Sequence, residues 1–251
     1  MSVKQRMLGG EKVIGTMVRV VRNPALAHLA KNAGLDYVMY DCEHSNYNFE
    51  TLHDAFLMTN ALGLGGFVRV PYGSKDYISR VIDAGATGVM VPMIETPEQA
   101  ATLVKYSKYQ PIGDRGYAAG GAHTDYKGGK HLEVMAQQND KVLTIAQIET
   151  KLAIENVDAI AATPGIDALL IGPNDLSISL GIPGDLMNPI ELEAIGKVAA
   201  ACKKHGKIFG LHATQALLEK FAVDLKLIMS ISDTDVLTQG FTGIRKMFDA
   251  L

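Results

Sequence analysis

Short apolar runs alternate along this chain with longer segments in which apolar residues recur at helical spacing. Eight of the runs have the length and the β-branched content of buried strands. They are Val13–Val18, Tyr37–Tyr40, Gly66–Val70, Gly88–Met93, Val142–Ile148, Ala168–Ile171, Lys207–Leu211 and Lys226–Ser230. The predicted helices between them are Pro24–Asn32, Phe49–Leu62, Lys75–Asp83, Pro97–Ser107, Lys151–Ala161, Pro189–His205, Thr214–Phe221 and Asp233–Phe248. Eight βα units with short connections favour an α/β protein whose parallel strands close into a (β/α)₈ TIM barrel.

One segment departs from this repeat. Between Lys105 and Lys141 the chain is rich in glycine, tyrosine and charge. Because the segment follows the fourth predicted strand, we expect it at the carboxyl-terminal mouth of the barrel, where barrel enzymes keep their sites. A long glycine-rich loop there favours a lid or a substrate wall over an idle insertion.

Charged residues stand at the ends of several predicted strands. Arg69 ends the third run and Glu149 the fifth, while Asp41 and His44 follow the second and Asp175 follows the sixth. A buried charge is costly unless it has a partner or a function. The carboxyl ends of all strands meet at one mouth of a barrel, so the pattern predicts one polar site there.

Glu149 and Asp175 are separated by one βα unit, so neighbouring strands present them to the same mouth. Two carboxylates without a cysteine or histidine close by in sequence form the sparse oxygen-ligand set of a hard divalent ion such as Mg²⁺ or Mn²⁺. Such a site leaves coordination positions open, as Lewis-acid catalysis requires. A general acid–base pair of the glycosidase type is the alternative. It explains neither Arg69 nor His44, so we favour the metal.

Asp41 and His44 are close enough in sequence to pair within one loop. A carboxylate that accepts from one imidazole nitrogen raises the basicity of the other, which predicts a general base near neutral pH. A local hydrogen bond that caps the next helix is the alternative. Arg69 offers a rigid fork for a carboxylate or an enolate oxygen. The backbone of the short helix after Gly172 offers N–H groups for a substrate carboxylate, and together these groups predict enolate chemistry on a 2-oxo acid.

Three further residues near strand ends carry weaker signals. Cys42 is interpreted as a small buried filler rather than a nucleophile, since its only basic neighbour is His44. Asp233 follows the eighth strand and is expected to cap the last helix. His212 ends the seventh strand, and the pattern assigns it no role.

The composition is that of a single globular domain. A chain of 251 residues has the size of one barrel, roughly 250 residues, so we expect one domain over residues 1–251. A net charge of −3 gives no reason to expect a nucleic acid or a membrane surface as a partner. The first residues lack the apolar core of a signal peptide, and no apolar run approaches the ~18 residues of a membrane span. Two cysteines fit a reducing cytoplasm.

Four separated motifs resemble the HpcH/HpaI aldolase family. They are DCEHSNYNFE, VRVPYGSKDYISRVIDAGATGVMVPMIETPEQA, QIETKLAIENVDAI and DALLIGPNDLSISLGIPGD, and the similarity runs from about Gly15 to the last helix. Members of this family are class II, metal-dependent aldolases of the 4-hydroxy-2-oxo-heptanedioate and 2-dehydro-3-deoxyglucarate type. The resemblance implies the phosphoenolpyruvate/pyruvate type of TIM barrel and a homohexamer whose subunits exchange their C-terminal helices.

The resemblance also implies roles for individual residues. Glu149 and Asp175 would bind the divalent metal ion, which is Mg²⁺, Mn²⁺ or Co²⁺. Arg69 would bind pyruvate and stabilise its enolate, and His44, oriented by Asp41, would act as the base directly or through water. Asp83 matches an acid that family members lend to a neighbouring subunit. The residues expected to contact substrate are Arg69, Gln147, Gly172, Pro173 and Asn174.

The segment from Arg115 to Tyr126 shares only its Arg-Gly start with the family. Its His123 and Asp125 depart from the expected pattern, so we expect this segment to shape the pocket for the aldehyde. His212 likewise matches no family role.

We therefore expect an enzyme that reversibly cleaves a 4-hydroxy-2-oxo acid to pyruvate and an aldehyde. The metal ion is expected to bind the keto oxygen and one carboxylate oxygen of the substrate. An oxaloacetate decarboxylase, or transfer of the enolate to another acceptor, is the first alternative. A citramalyl-CoA-type lyase would need a basic groove that the strand ends do not offer, and a barrel that binds a keto acid without turnover is the remaining alternative.

Overall fold

A computed structural model describes residues 1–249, and in this part of the chain eight parallel strands close into a barrel. The strands are β1 (Val13–Val18), β2 (Tyr37–Asp41), β3 (Gly65–Arg69), β4 (Gly88–Val91), β5 (Leu143–Ile148), β6 (Ala168–Ile171), β7 (Ile208–His212) and β8 (Leu227–Ser232). Each strand pairs with the next in sequence, and β8 pairs with β1. The predicted (β/α)₈ barrel is confirmed. Residues 250–251 of the expected domain lie outside the described residues.

Helices surround the barrel. They are α1 (Val3–Leu8), α2 (Leu26–Asn32), α3 (Phe49–Ala61), α4 (Lys75–Asp83), α5 (Pro97–Ser107), α6 (His131–Lys141), α7 (Lys151–Glu155), α8 (Val157–Ala162), α9 (Pro173–Ser179), α10 (Pro189–His205), α11 (Gln215–Lys220) and α12 (Asp233–Asp249), with a 3₁₀ turn at Ala122–Thr124. The pattern did not predict α1 or α6. The helix predicted at Lys151–Ala161 is two helices, because Asn156 ends α7 and starts α8.

Alternation along the strands separates two apolar layers. The outward residues pack beneath the helices, and the inward residues fill the barrel. Inside, the rings of Tyr37 and Phe67 stack with centroids 4.8 Å apart. Gly15 leaves room for this pair, since a Cβ there would lie 2.6 Å from the Tyr37 ring. Helix α1 adds Met7 to the inner layer at the amino end of the barrel.

The glycine-rich segment lies at the amino end of the barrel and not at the mouth. Helix α5 carries the chain back from the mouth, so residues 108–142 lead to the start of β5. Lys108 Nζ lies 3.3 Å from Asp167, which precedes β6. Arg115 pairs with Asp83 at the end of α4. The prediction of a lid over this chain's own mouth is therefore wrong, because α5 intervenes between β4 and the segment.

The predicted pocket-shaping residues of this segment make local contacts instead. His123 is buried, and its Nε2 lies 3.1 Å from the carbonyl oxygen of Ala118. Asp125 follows the 3₁₀ turn in the left-handed conformation. Neither side chain reaches the mouth of its own barrel, so neither shapes a pocket there.

Helix α12 begins at the mouth and is largely exposed. Among its residues only Asp233 is buried. Asp233 does not cap the helix as predicted, because its carboxylate accepts from the backbone N–H groups of Arg19, Val20 and Val21 at 2.8–2.9 Å. The start of the helix is thereby tied to the loop after β1. Within residues 1–249 no helix is long and apolar enough to cross a membrane.

Candidate active site

Inward-facing positions of the strands end on polar residues at the carboxyl mouth. Successive residues of a strand point to opposite faces, so every second residue faces the interior of the barrel. On β2 the inward series runs from Met39 to Asp41, and on β3 it runs from Phe67 to Arg69. The charged side chains at the mouth are therefore the continuation of the apolar layer below them.

Asp41 and Arg69 form a buried ion pair across β2 and β3. They are register partners, and Arg69 donates to the two carboxylate oxygens from Nε at 2.9 Å and from Nη2 at 2.8 Å. Burial alone would raise the pKa of Asp41, but the hydrogen bonds and charge of Arg69 outweigh it and hold this pKa below its ordinary value. Glu43 Oε2 lies 2.8 Å from Arg69 Nη1. Two carboxylates thus fix the plane of the guanidinium.

His44 is not paired with Asp41 through its ring, which corrects the predicted Asp–His pair. Asp41 Oδ1 accepts instead from the backbone N–H groups of Glu43 and His44, at 3.1 and 3.3 Å. The imidazole Nε2 of His44 lies 3.7 Å from Glu43 Oε2, and 56% of the His44 side chain is exposed. The Asp41 carboxylate positions His44 through the main chain, and the nearest acid to the ring is Glu43.

Arg19 belongs to the same cluster, although sequence reasoning did not single it out. It follows β1 directly, and its Nε donates to Asp41 Oδ2 at 3.0 Å. The signal was present in the sequence, because Met17 faces the interior and the residue two positions later must face the mouth. The same rule relates Arg69 to Phe67.

Glu149 is a buried carboxylate at the end of β5, with 1% of the residue exposed. Its Oε1 accepts from the N–H group of Met93 at 2.8 Å, and its Oε2 accepts from the side-chain amide of Gln147. Gly172 makes room for both side chains, because a Cβ there would collide with Glu149 Oε2 and Gln147 Nε2. Burial raises the pKa of Glu149 to about 7, and the charge of Asp175 acts in the same direction.

The oxygens of this corner fit a hard divalent cation. Gln147 Oε1 is buried without a hydrogen-bond partner, and within residues 1–249 Glu149 is bonded only to a backbone N–H and an amide. A cation beside them would neutralise the buried carboxylate and satisfy the amide oxygen. The described residues contain no group of three His, Cys, Asp or Glu side chains suited to a metal, so water and substrate would supply the other ligands.

A cavity of about 420 Å³ opens at the mouth between these groups. The predicted site residues that line it are His44, Arg69, Gln147, Gly172, Pro173, Asn174 and Asp175. Asp41 and Glu149 are hydrogen-bonded to two of these residues. The structure therefore brings together the expected substrate-binding, metal-binding and basic residues of one chain.

Asp83 and Cys42 stand apart from this cluster. Asp83 ends α4 at the amino end of the barrel, where it pairs with Arg115, so it does not reach the mouth of its own chain. Cys42 is half-buried next to Asp41, and burial raises the pKa of its thiol to about 12. The thiolate is therefore scarce at neutral pH, as expected for a filler rather than a nucleophile.

Fold and site together define a (β/α)₈ barrel protein with paired carboxylates and an arginine at the carboxyl mouth. The profile of the HpcH/HpaI aldolase/citrate lyase family matches residues 19–232, so the chain belongs to this family. The predicted membership of this aldolase family is confirmed.

Individual relatives agree with this assignment. A 2-keto-3-deoxy-L-rhamnonate aldolase of Klebsiella pneumoniae is 33% identical over 247 residues, which are 98% of this chain and 92% of that protein. A 5-keto-4-deoxy-D-glucarate aldolase of the same species is 35% identical over 76% of this chain and 74% of that protein. The crystal structure of an HpcH/HpaI aldolase from Desulfitobacterium hafniense has a TM-score of 0.95 and 31% identity, over 100% of this chain and 98% of that one.

Proposed function

We propose that this protein is a divalent-metal-dependent aldolase that reversibly cleaves a 4-hydroxy-2-oxo acid to pyruvate and an aldehyde. One observation carries the proposal: the guanidinium of Arg69, the imidazole of His44, the orphaned amide oxygen of Gln147 and the carboxylate of Asp175 line one mouth cavity. The carboxylate of Glu149 is hydrogen-bonded to Gln147 beside them. Glu149 and Asp175 would hold the ion, Mg²⁺, Mn²⁺ or Co²⁺. When bound, the ion supplies Lewis-acid polarisation of the 2-oxo group.

His44 is proposed as the general base. Its imidazole is exposed to the cavity and takes the proton of the substrate's C4 hydroxyl group. The C3–C4 bond then breaks, its electron pair forms the enolate of pyruvate, and the aldehyde leaves. Return of a proton to C3 completes the cleavage. Glu43, beside the ring, would stabilise the imidazolium that forms.

Arg69 is proposed to bind the pyruvate half and stabilise the enolate charge. Asp41 and Met17 accept from three of its five N–H groups, and Glu43 Oε2 forms an ion pair with Nη1. One N–H of Nη1 therefore stays available to a substrate oxygen. Because the guanidinium is already fixed by carboxylates, it needs no reorganisation when charge develops, which is the condition for electrostatic catalysis. Gln147, Gly172, Pro173 and Asn174 would border the substrate carboxylate.

The assembly is proposed from the family resemblance and from α12. Apolar side chains of this helix lie exposed in the single chain, among them Phe241 and Ile244 at 66% and 55%. A homohexamer with exchanged C-terminal helices would bury them, and it would also let Asp83 serve the site of a neighbouring subunit. We further propose a cytoplasmic location, in keeping with the two free cysteines.

Exchange of the methyl protons of pyruvate in D₂O tests the enolate step without an aldehyde. We expect NMR to show exchange with Mn²⁺ or Mg²⁺, loss of exchange after treatment with a chelator, and recovery when metal is added. Glu149→Gln should abolish it, whereas Glu193→Gln, at an exposed position of α10, should not. Exchange that persists after complete metal removal contradicts the proposal.

A panel of substrates then separates aldol cleavage from its alternatives. A 4-hydroxy-2-oxo acid should yield pyruvate and aldehyde in equal amounts. Oxaloacetate serves as the comparison, because faster release of carbon dioxide from oxaloacetate than of aldehyde from every hydroxy-oxo acid would identify a decarboxylase.

A further inference from the structure

The cavity at the mouth has a second side, formed by β7, β8 and β1, that the proposed enolate chemistry does not use. His212, at the end of β7, and Arg19, just after β1, both line it, together with Ile231, Ser232 and Asp235. The pyruvate half of the substrate is assigned to residues after β2, β3, β5 and β6. The second side is therefore the space left for the aldehyde half.

Strand β8 is distorted at this side of the cavity. Its register with β1 shifts between Met229 and Ser232, and Ile231 has a φ of 42°. A β-branched residue at positive φ is strained, and strain of this kind persists where surrounding contacts enforce it. Thr16 Oγ1 supplies one such contact by donating to the Ile231 carbonyl oxygen at 3.1 Å. Bulges next to a site re-aim side chains, and here the Ile231 side chain borders the cavity.

His212 presents a neutral imidazole to this space. Burial lowers its pKa to about 4, with help from the positive charges of Arg69 and Arg19. A neutral imidazole has one donor nitrogen and one acceptor nitrogen. The backbone carbonyl of Ile231 opposes this lowering of the pKa, because it favours a protonated ring nitrogen. The other nitrogen is then an acceptor, which a hydroxyl group satisfies and a carboxylate does not.

Arg19 supplies the complementary donors. Its Nε is bonded to Asp41, and within residues 1–249 its two terminal nitrogens donate no hydrogen bond. The positive charge is offset by Asp41 and by nearby Asp235, whose carboxylate accepts from the backbone N–H and hydroxyl of Ser232 at 2.8 and 2.6 Å. A second negative charge brought by a ligand would meet Asp235, so the local charge favours a neutral group.

We propose that His212 and Arg19 form a subsite for a hydroxyl group of the aldehyde half, so that the enzyme selects uncharged hydroxyaldehydes over apolar and anionic aldehydes. The hydroxyl donates to His212 and accepts from Arg19. This inference rests on the proposed aldolase function, and it makes these two residues determinants of specificity.

The test compares aldehydes of matched size in the synthesis direction with pyruvate. Glycolaldehyde and propanal have the same number of heavy atoms and differ by a hydroxyl in place of a methyl group, and glyoxylate is the anionic counterpart. We expect the wild type to show a kcat/KM for glycolaldehyde at least about tenfold above that for propanal, the factor that one hydrogen bond supplies. The kcat/KM for glyoxylate should also be lower than that for glycolaldehyde.

For each variant, the measured quantity is the ratio of kcat/KM for glycolaldehyde to kcat/KM for propanal. Effects on the shared enolate step cancel in this ratio. His212→Leu should lower this ratio about tenfold, and His212→Gln, which keeps a donor and an acceptor, should retain most of it. His205→Leu, at the amino end of the barrel where His205 pairs with Asp158, is the matched control and should keep the wild-type ratio. Arg19→Met should lower the ratio as well, which preserves the test if His212→Leu does not fold.

A wild-type enzyme without preference for glycolaldehyde, or a ratio within twofold of wild type in His212→Leu, overturns the subsite. A higher kcat/KM for glyoxylate than for glycolaldehyde overturns it too. Methyl exchange of pyruvate in the wild type separates the two failures. If exchange occurs but the ratio of glycolaldehyde to propanal is the same in wild type and variants, only the proposed subsite is wrong. If exchange is absent, the proposed function itself is wrong.

Discussion

The catalytic role proposed for Arg69 would be combined with a structural one, because the acid that fixes it is fully buried. Asp41 has no exposed surface, and among residues 1–249 it would keep only Arg19 as an ionic partner if Arg69 were removed. Removing one member of a buried pair typically costs about 3–5 kcal/mol of stability. The ion pair therefore links activity and folding at one position.

Replacement of Arg69 should reveal both roles. Arg69→Ala is expected to lower the rate of pyruvate methyl exchange by about 10²–10³ and to reduce the melting temperature while the barrel still forms. Arg69→Lys keeps the positive charge but lacks the forked guanidinium, so its exchange rate and melting temperature should lie between those of Arg69→Ala and wild type. NMR exchange and circular dichroism measure the two effects. Near-normal exchange in Arg69→Ala would remove the role assigned to this residue.

The stability difference between wild type and Arg69→Ala should depend on pH. The folded-state pKa of Asp41 is depressed, so the ion pair stabilises the protein above the unfolded pKa, about 4, and this contribution is lost as the pH falls through the folded pKa. The difference in melting temperature between wild type and Arg69→Ala should therefore be largest near pH 7 and decrease below pH 4. A difference that grows on acidification would contradict the assignment of Asp41 as the ionised partner.

Gly172 is required by the side chains around it rather than by its backbone angles. A methyl group there would displace Glu149 and Gln147, so Gly172→Ala should weaken the binding of Mn²⁺ at least tenfold. Gly196→Ala, on α10 with open space around the position, is the matched control and should bind metal normally and gain stability. Calorimetric titration with Mn²⁺ gives both affinities, and equal values would show that Gly172 is dispensable.

Which site residues could be predicted depended on what defines their role. Glu149, Asp175 and Arg69 were found because a charge at the end of an apolar run is anomalous. Arg19 carries the same anomaly after β1, and the period of two from Met17 identifies it. The acid beside the His44 ring could not be predicted, because both Asp41 and Glu43 are within three residues of His44. Proximity in sequence does not show that both oxygens of Asp41 already accept hydrogen bonds from Arg69.

At the scale of secondary-structure elements, α10 contains a buried carboxyl group whose ionised form destabilises the folded protein. Glu191 is fully buried in the first turn, and neither of its oxygens has a hydrogen-bond partner. Burial raises its pKa from 4.5 to about 7. The folded protein therefore binds a proton that the unfolded chain releases, and stability falls as the pH rises from about 4.5 to about 7.

Glu191→Gln should remove this dependence on pH. The melting temperature of the variant relative to wild type is expected to be higher at pH 8 than at pH 5, because glutamine stays neutral at both. Glu193→Gln, exposed on the same helix, should show no such change with pH. Differential scanning calorimetry at the two pH values measures the effect, and a larger relative gain at pH 5 would contradict the buried-acid interpretation.

Strands and helices could be predicted where their buried residues are apolar and recur at regular spacing in the sequence. All eight strands were located, because both faces of a barrel strand are apolar. Helix α6 was missed because only Gln138 and Asn139 are buried in it, so it has no apolar stripe. The boundary at Asn156 was missed because its cause is a tertiary contact, a hydrogen bond from the Asn156 side chain to the Glu95 carbonyl oxygen at 2.9 Å.

At the scale of the whole molecule, the exposed face of α12 predicts an assembly. Phe241, Ile244 and Phe248 lie on one side of this helix and are exposed, an arrangement that an isolated chain leaves in contact with water. The segment after α5 lies at the amino end of the barrel because α5 returns the chain from the mouth, and closeness in sequence to β4 does not show this.

A charge on that face should dissociate the assembly. Sedimentation velocity is expected to show a hexamer for the wild type and smaller species for the double variant Phe241→Glu/Ile244→Glu, because each buried apolar side chain typically contributes about 1.5–3 kcal/mol. Thr242→Glu lies outside the stripe formed by Phe241, Ile244 and Phe248 and should leave the proposed assembly intact. A monomeric wild type, or an unchanged double variant, would contradict the exchanged-helix arrangement.

The division of the mouth between two groups of strands has an evolutionary consequence. Asp41 is hydrogen-bonded to Arg69 and Glu149 to Gln147, so changes within each of these buried pairs are coupled. His212 and Ile231 border the same cavity from strands that carry none of these contacts. A duplicated gene could therefore acquire a new substrate range by drift at the ends of β7 and β8 while inheriting its reaction intact.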